Sequence, residues 1–363
     1  MTKQADLKQR VRARMAKTGE SYAAARIHVL GDRAQPPEPR LLHVTNGDAT
    51  VPGLRGAGLA GTVMPWRDVL HEGPVPDVGD DDLRRVRAAF LNRRGADDIG
   101  TEREFRERDA TLERHRDGSY VLWFEADLYD QLQVVQILAK LHELEVPPSR
   151  ITLICIGEHV GVAHFGGLGE LSAEQLGRLP AVASTVMTPA ALEHATRAWG
   201  ALRAPDPAAL AAIAATPSPE LRFVAEAFDR LSREYPSTRD GLSLTERRIL
   251  AAVADGAATA GAAFVRAAGR EARPFLGDTW CFDRIAGFVG ASTPLVDAEP
   301  ADAPVDRHAR LRLTDAGRKV LGGGADHVSL NGVDRWIGGV HLAGRAVPWR
   351  WDDGVESIVP VEP

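Results

Sequence analysis

From residue 41 onward the chain alternates short apolar runs with longer stretches of helical period. The runs occupy 41–45, 61–65, 120–124 and 151–156. Between them, 81–94 and 101–116 are charged and helical in period, and 130–144 (DQLQVVQILAKLHEL) gathers Leu132, Val135, Ile137, Leu138 and Leu141 on one broad face. Apolar strands separated by amphipathic helices predict βαβ units. The expected fold is α/β, with a Rossmann-like domain built on a largely parallel sheet over residues 41–170.

After Gly166 and Gly167 the pattern turns Ala-rich and helical through 189–202, 206–215 and 219–234, with Pro and Gly at the junctions, so 171–240 is expected to form a helical connector. Ser243, three residues before Glu246, then opens a helix in a capping box, and Gly256 closes it. Two further helical stretches at 258–269 and 275–288 precede a short strand that runs into a helix at 310–321 (RLRLTDAGRKVL). This order predicts a winged-helix-like domain over 241–325. Residues 326–363 concentrate Trp336, Trp349 and Trp351 and are expected to wrap back onto another domain, because large aromatic rings seek area to bury. Residues 1–40 form a basic helical arm, with Lys3, Lys8, Arg10, Arg12, Arg14 and Lys17 against Asp6 and Glu20, followed by a Pro-rich linker.

Composition narrows the function classes. With 363 residues, 44% of them hydrophobic, the chain can bury more than one core. It has only two cysteines, Cys155 and Cys281, which rules out a disulfide framework or a Cys-based zinc site and points to a reducing compartment. No segment approaches the roughly 20 apolar residues of a membrane helix, so the expectation is a cytoplasmic protein without a membrane partner. A net charge of −6 opposes a whole-protein nucleic-acid footprint and leaves room for a local basic face; the arm could touch phosphate, although a solvated helix that packs Val11, Met15, Tyr22 and Ile27 is the simpler expectation.

In a parallel sheet, ligands gather outside the carboxyl ends of the strands, and each predicted strand runs into polar residues at that end. Strand one ends in Asn46, Gly47 and Asp48, where a glycine frees backbone N–H groups for an anion and the carboxylate can act as base or metal ligand. The same tripeptide is also ordinary turn chemistry. The segment 66–73 (WRDVLHEG) packs Trp66, Arg67, Asp68, His71 and Glu72 together and is the densest candidate, although Asp68 as a helix cap and an Arg67–Glu72 pair would account for part of it. Strand three ends in Glu125 and Asp127, and strand four in Gly157, Glu158 and His159. His43 lies inside strand one, where it is either a ligand or a hydrogen-bonded core residue. Asp48, Asp68 and Glu72 are the candidate catalytic groups, and together with Asp127 they form an oxygen set suited to a hard cation such as Mg²⁺. His43, Asn46, Gly47, Trp66, Arg67, His71, Asp127 and His159 are the candidate ligand contacts.

The blocks HVTNGD (43–48), WRDVLHEGPVP (66–76) and YDQLQVVQIL (129–138) resemble a bacterial family known as domain of unknown function 1835. The resemblance continues through GLSLTERRIL (241–250), PFLGDTWCFDRI (274–285), LRLTDAGRKVL (311–321) and NGVDRWIGGVHL (331–342), and so spans most of residues 41–352. It implies membership of that family and no particular reaction.

Three functions are consistent with these features. The first is a domain that binds or acts on a small anionic, phosphate- or nucleotide-like ligand at the strand ends. The second is a ligand-responsive winged-helix DNA-binding regulator, although its third helix carries Asp278 and Asp283 against one Arg284 where bases and phosphates call for cationic or amide side chains. The third is a scaffold that binds a protein partner.

Overall fold

The computed structural model describes residues 40–93, 98–162, 165–301 and 303–361, with positions 8, 9, 11–15, 21, 22 and 25 of the arm. Most of the basic arm, the linker and His164 lie outside the described residues. Within the arm, Val11 and Ala25 are buried and Met15 packs on them.

Strand β1 (Leu41–Thr45) leads through a short helix α1 (Val51–Gly56) to β2 (Thr62–Pro65). A two-residue strand β3 (Gly73–Pro74) and helices α2 (Asp80–Leu91) and α3 (Asp98–Arg114) precede β4 (Ser119–Glu125). Helix α4 (Leu128–Glu143) then connects to β5 (Ile151–Ile156). The sheet order is β2-β1-β4-β5, all parallel, with one more strand beyond β5. Helix α5 (Ala173–Ala183) leads into β6 (Ser184–Val186), which closes the edge antiparallel to β5. The chain is thus mixed α/β with a parallel sheet.

Side-chain alternation along the strands divides the interior. Tyr120, Leu122 and Phe124 of β4, with Leu42 and Val44 of β1, face the larger core. Trp123 and Ile154 point the other way, into a smaller cluster closed by Leu54 of α1 and by Leu176 and Leu179 of α5. Helix α4 buries far more than the one face expected from its period, including Gln131, Gln133 and Gln136. The reason is its position: it is sandwiched between the sheet and two helices of the connector, α6 (Pro189–Arg203) and, beyond α7 (Ala208–Ala214), α8 (Val224–Ser232).

A separate core lies under α9 (Leu244–Ala254), α10 (Ala260–Ala268), α11 (Asp278–Val289), the antiparallel pair β7 (Val296–Glu299) and β8 (Arg310–Leu313), and α12 (Asp315–Leu321). The capping box at Ser243 and Glu246 forms as the sequence predicts. After α13 (His327–Asn331), strand β9 (Val333–Gly338) pairs with β10 (Val340–Gly344) and also, in parallel, with β3. A final hairpin of β11 (Trp349–Asp352) and β12 (Ser357–Pro360) buries Trp351 in the main core. The C-terminal segment therefore returns to the segment immediately after His71 and Glu72. Gly73 makes that pairing possible: its φ is +75°, and a Cβ there would overlap the ring of Phe90. No helix among the described residues is long and apolar enough to cross a membrane.

Candidate functional site

The strand order reverses between β1 and β4, since β1 connects outward to β2 while β4 connects the other way to β5. Carboxyl ends of strands that diverge in this way leave a crevice, and here it is lined by carboxylates. Asp127 caps α4 by accepting the Asp130 N–H at 3.1 Å, which turns the helix start toward the sheet edge. Asp130 accepts Nδ2 of Asn46 at 2.9 Å and the N–H of Glu125. Tyr129 donates its hydroxyl to the Asn46 carbonyl at 3.2 Å, and Glu125 accepts the Leu168 N–H at 2.6 Å. Oxygens of Glu125, Asp127 and Asp130 all lie within 4.8 Å of one another, and among the described residues this is the group of three or more potential metal ligands that comes together.

Three carboxylates so close and so little hydrated cannot all ionise in the ordinary range. Burial, then the neighbouring Asp127, pushes the Glu125 carboxyl up to about 7. Burial raises Asp127 to about 6 against the pull of the Asp130 and Tyr129 N–H groups and of Arg273. Asp130 is raised well above the usual range by burial and by both neighbours. A cavity of about 100 Å³ opens over Glu125 and Asp127, walled by Gly157, Phe165, Gly167 and Arg273. Arg273 comes from the loop before α11, hydrogen-bonds Glu226 at 3.0 Å, and lies against Gly157 so closely that a Cβ there would strike its guanidinium.

Against known protein families and curated proteins, the chain finds no match.

The structure distributes the residues expected from sequence among several places. Asn46 and Asp127 belong to the acidic crevice. Asp48 instead forms a solvent-exposed fork with Arg67, at 2.6 and 2.7 Å, on the outer rim of β1 and β2. Arg67 reaches it from a left-handed conformation, φ +55°, with its N–H on the Asn46 carbonyl at 3.3 Å. Arg67 therefore pairs with Asp48 and Glu104, not with Glu72. Gly47 stays out of the left-handed region. Asp68 is buried against Arg87, 2.8 Å away, and does not cap a helix. Trp66 donates its indole N–H to Gln136 at 2.7 Å. His43 is fully hydrogen-bonded in the core: Nδ1 accepts the indole N–H of Trp123 at 2.9 Å and Nε2 donates to the Ala60 carbonyl at 3.0 Å. His159 is half-buried just beyond β5, with Nδ1 lacking a hydrogen-bond partner. Asp48, Asp68 and Glu72 do not join Asp127 in a common ligand set. Glu125 and Asp130 take their places, because only β4 and the first turn of α4 converge there.

His71 and Glu72 enter a second cluster, between the parallel-sheet region and the C-terminal helices. Arg284 of α11 donates to both oxygens of Glu72, at 2.7 and 2.9 Å. Arg335 of β9 pairs with Glu246 of α9. Arg230 of α8 bridges Glu234 and Glu271, each at 2.7 Å. Burial raises Glu72 above the ordinary carboxylate range, opposed by Arg284 and Arg335. It also pushes Glu246 up, but Arg335, His327 and Arg284 outweigh it and hold that carboxyl down to about 2. The His71 ring stands edge-on to Tyr129 and Phe275, and neither of its nitrogens finds a hydrogen-bond partner. Burial holds its pKa down to about 3, so it is neutral. Sequence reasoning missed Arg230, Glu234 and Arg335 as members of one cluster. Arg230 and Glu234 are an i,i+4 pair that helical spacing could have found, whereas Arg335 reaches the cluster from β9 and no spacing along the chain connects it to them.

Proposed function

We propose that the chain binds a small anionic, phosphate-like molecule at the carboxyl edge of β1, β4 and β5 through a divalent cation, Mg²⁺ being the natural choice. The carrying observation is the convergence of Glu125, Asp127 and Asp130 where the strand order reverses. Three carboxylates with raised pKa values repel an anion directly but supply hard oxygen ligands to a cation, and a bound cation would restore their ionised forms. Arg273 then offers the complementary charge to an anion on the far wall. Without the cation the Glu125 carboxyl, raised to about 7, exchanges its proton near neutral pH, so cation binding there would release protons.

Two further readings accompany this one. Membership of the domain-of-unknown-function 1835 family is proposed on the resemblance of the quoted segments; four of them, 66–76, 241–250, 274–285 and 331–342, contribute Glu72, Glu246, Arg284 and Arg335 to a buried cluster. The C-terminal helices and hairpin are read as a winged helix by their order. Against DNA binding by its third helix stands the packing of α11. Cys281, Ile285 and Phe288 fill the core, Trp280 stacks on Phe90 with ring centroids 5.6 Å apart, and Arg284 is committed to Glu72.

Calorimetric titration with Mn²⁺ at pH 7.5 tests the cation reading. One site per chain is expected in the wild type and in Asp48→Ala, and none in Asp127→Asn. Absence of binding to the wild type, or equal binding to Asp127→Asn, refutes it.

A further inference from the structure

Distinct from the acidic crevice, a cavity of about 240 Å³ lies between α2, α3, α4 and α6. Its size exceeds the roughly 150 Å³ of an apolar cavity that admits benzene, and is many times what a single water needs. Its lining combines aromatic and aliphatic side chains with charged ones, Asp80, Asp109 and Glu143 among them. Trp66, Phe105, Leu83, Ala139 and Trp199 line it, and the Arg108 guanidinium lies 3.9 Å over the Trp66 ring, presenting a second flat surface. Flat walls of this kind stack with flat ligands.

The charges divide into two sets. Those deep in the cavity are satisfied by one another: Arg87 by the buried Asp68, and Arg108 by Asp109 at 2.9 Å and by the Trp66 carbonyl at 3.2 Å. Those near the start of α2 are cations paired with exposed acids, Arg203 donating also to the carbonyls of Pro76 and Val78. Lys140, 23% exposed, pairs with Asp80 and Glu143, which are 50% and 68% exposed. Arg203, 14% exposed, pairs with Asp77, 75% exposed. Such solvated pairs contribute little and exchange readily for a better-placed anion. Arg84, one turn into α2, leaves its buried Nε without a hydrogen-bond partner on the same wall.

Aromatic side chains on the walls, with an ammonium and a guanidinium group on one side, suit a flat ring that carries a negative charge. The geometry points to a binding site for a planar aromatic carboxylate of one or two rings, with the ring between Trp66, Phe105 and Trp199 and the carboxylate on Lys140 and Arg203. This site is independent of the cation site at the strand ends.

The test uses the full chain and two probes of the same shape, 2-naphthoate and neutral 2-naphthol, titrated calorimetrically at pH 7.5. Saturable binding of 2-naphthoate at one site, at least tenfold tighter than 2-naphthol, is expected. Ala139→Phe, which fills the slot, should abolish binding of both. Lys140→Gln, at a solvated position that leaves folding intact, should reduce the preference for naphthoate to less than threefold without weakening naphthol. Absence of saturable naphthoate binding overturns the assignment, as does equal affinity for naphthol or a full preference retained in Lys140→Gln. If Ala139→Phe fails to fold by circular dichroism, the Lys140→Gln comparison decides alone.

Discussion

Replacing Glu125 by Gln should stabilise the protein at alkaline pH and leave it unchanged in acid. In the folded chain the Glu125 carboxyl is raised from 4.5 to about 7, chiefly by burial. The folded state therefore keeps a proton that the unfolded chain releases once the pH passes 4.5. Its contribution is neutral below 4.5, becomes steadily unfavourable as the pH rises to about 7, and is constant above that. At roughly 1.36 kcal/mol for each tenfold, the difference is worth about 3 kcal/mol at pH 8. Gln mimics the protonated form and can still accept the Leu168 N–H, so the variant should gain between about 1 and 3 kcal/mol at pH 8 and nothing at pH 4. Urea unfolding at these two pH values reads the effect directly, and Mg²⁺ adds a second axis. If the three carboxylates hold a cation, millimolar Mg²⁺ at pH 8 should stabilise the wild type more than the variant, because only the wild type has a full ligand set. A variant no more stable than wild type at pH 8 would refute the reasoning that buried, mutually repelling carboxylates dominate this crevice.

Removing one partner of the buried Glu72–Arg284 pair should be expensive. Glu72→Ala leaves a guanidinium without its main counter-charge and is expected to cost about 3–5 kcal/mol in a urea melt, while the double substitution Glu72→Leu with Arg284→Met should recover much of that loss. His71 provides a pH signature of opposite sign. Burial lowers its pKa from 6.5 to about 3. The folded chain therefore refuses a proton that the unfolded chain accepts, so stability present above pH 6.5 is lost as the pH falls toward 3. His71→Leu should flatten the fall between pH 6.5 and 4.5 in the same urea assay. An unchanged slope would mean that the ring is hydrated in solution.

Much of this architecture is written in local pattern. The four parallel strands are apolar runs that need no tertiary knowledge to find, and the capping box at Ser243 and Glu246 is a short-range hydrogen-bond device that the chain carries with it. Helix α1 was invisible because VPGLRG is too short to show a period and contains both residues that ordinarily interrupt helices. The crevice was half legible. Asn46 and Asp127 stand out as polar residues after strands, whereas Asp130 reads as one more polar residue in the first turn of a helix, and becomes a ligand-class group only because Asp127 caps that helix beside β4.

Asp48 and Asp68 show the opposite failure, since strand-end position predicted chemistry for both. Arg67, from its left-handed backbone, draws Asp48 outward to solvent, and Arg87 of α2 encloses Asp68. Sequence by itself determined the four parallel strands, the longer helices and the polar character of the sheet edge, because these depend on residues within a few positions of each other. Which carboxylates meet, which are neutralised by arginines from distant elements, and that β9 returns to pair with β3 above His71 and Glu72 were decided by the tertiary structure alone. Burial and Coulomb interactions act through space, and no spacing along the chain encodes them.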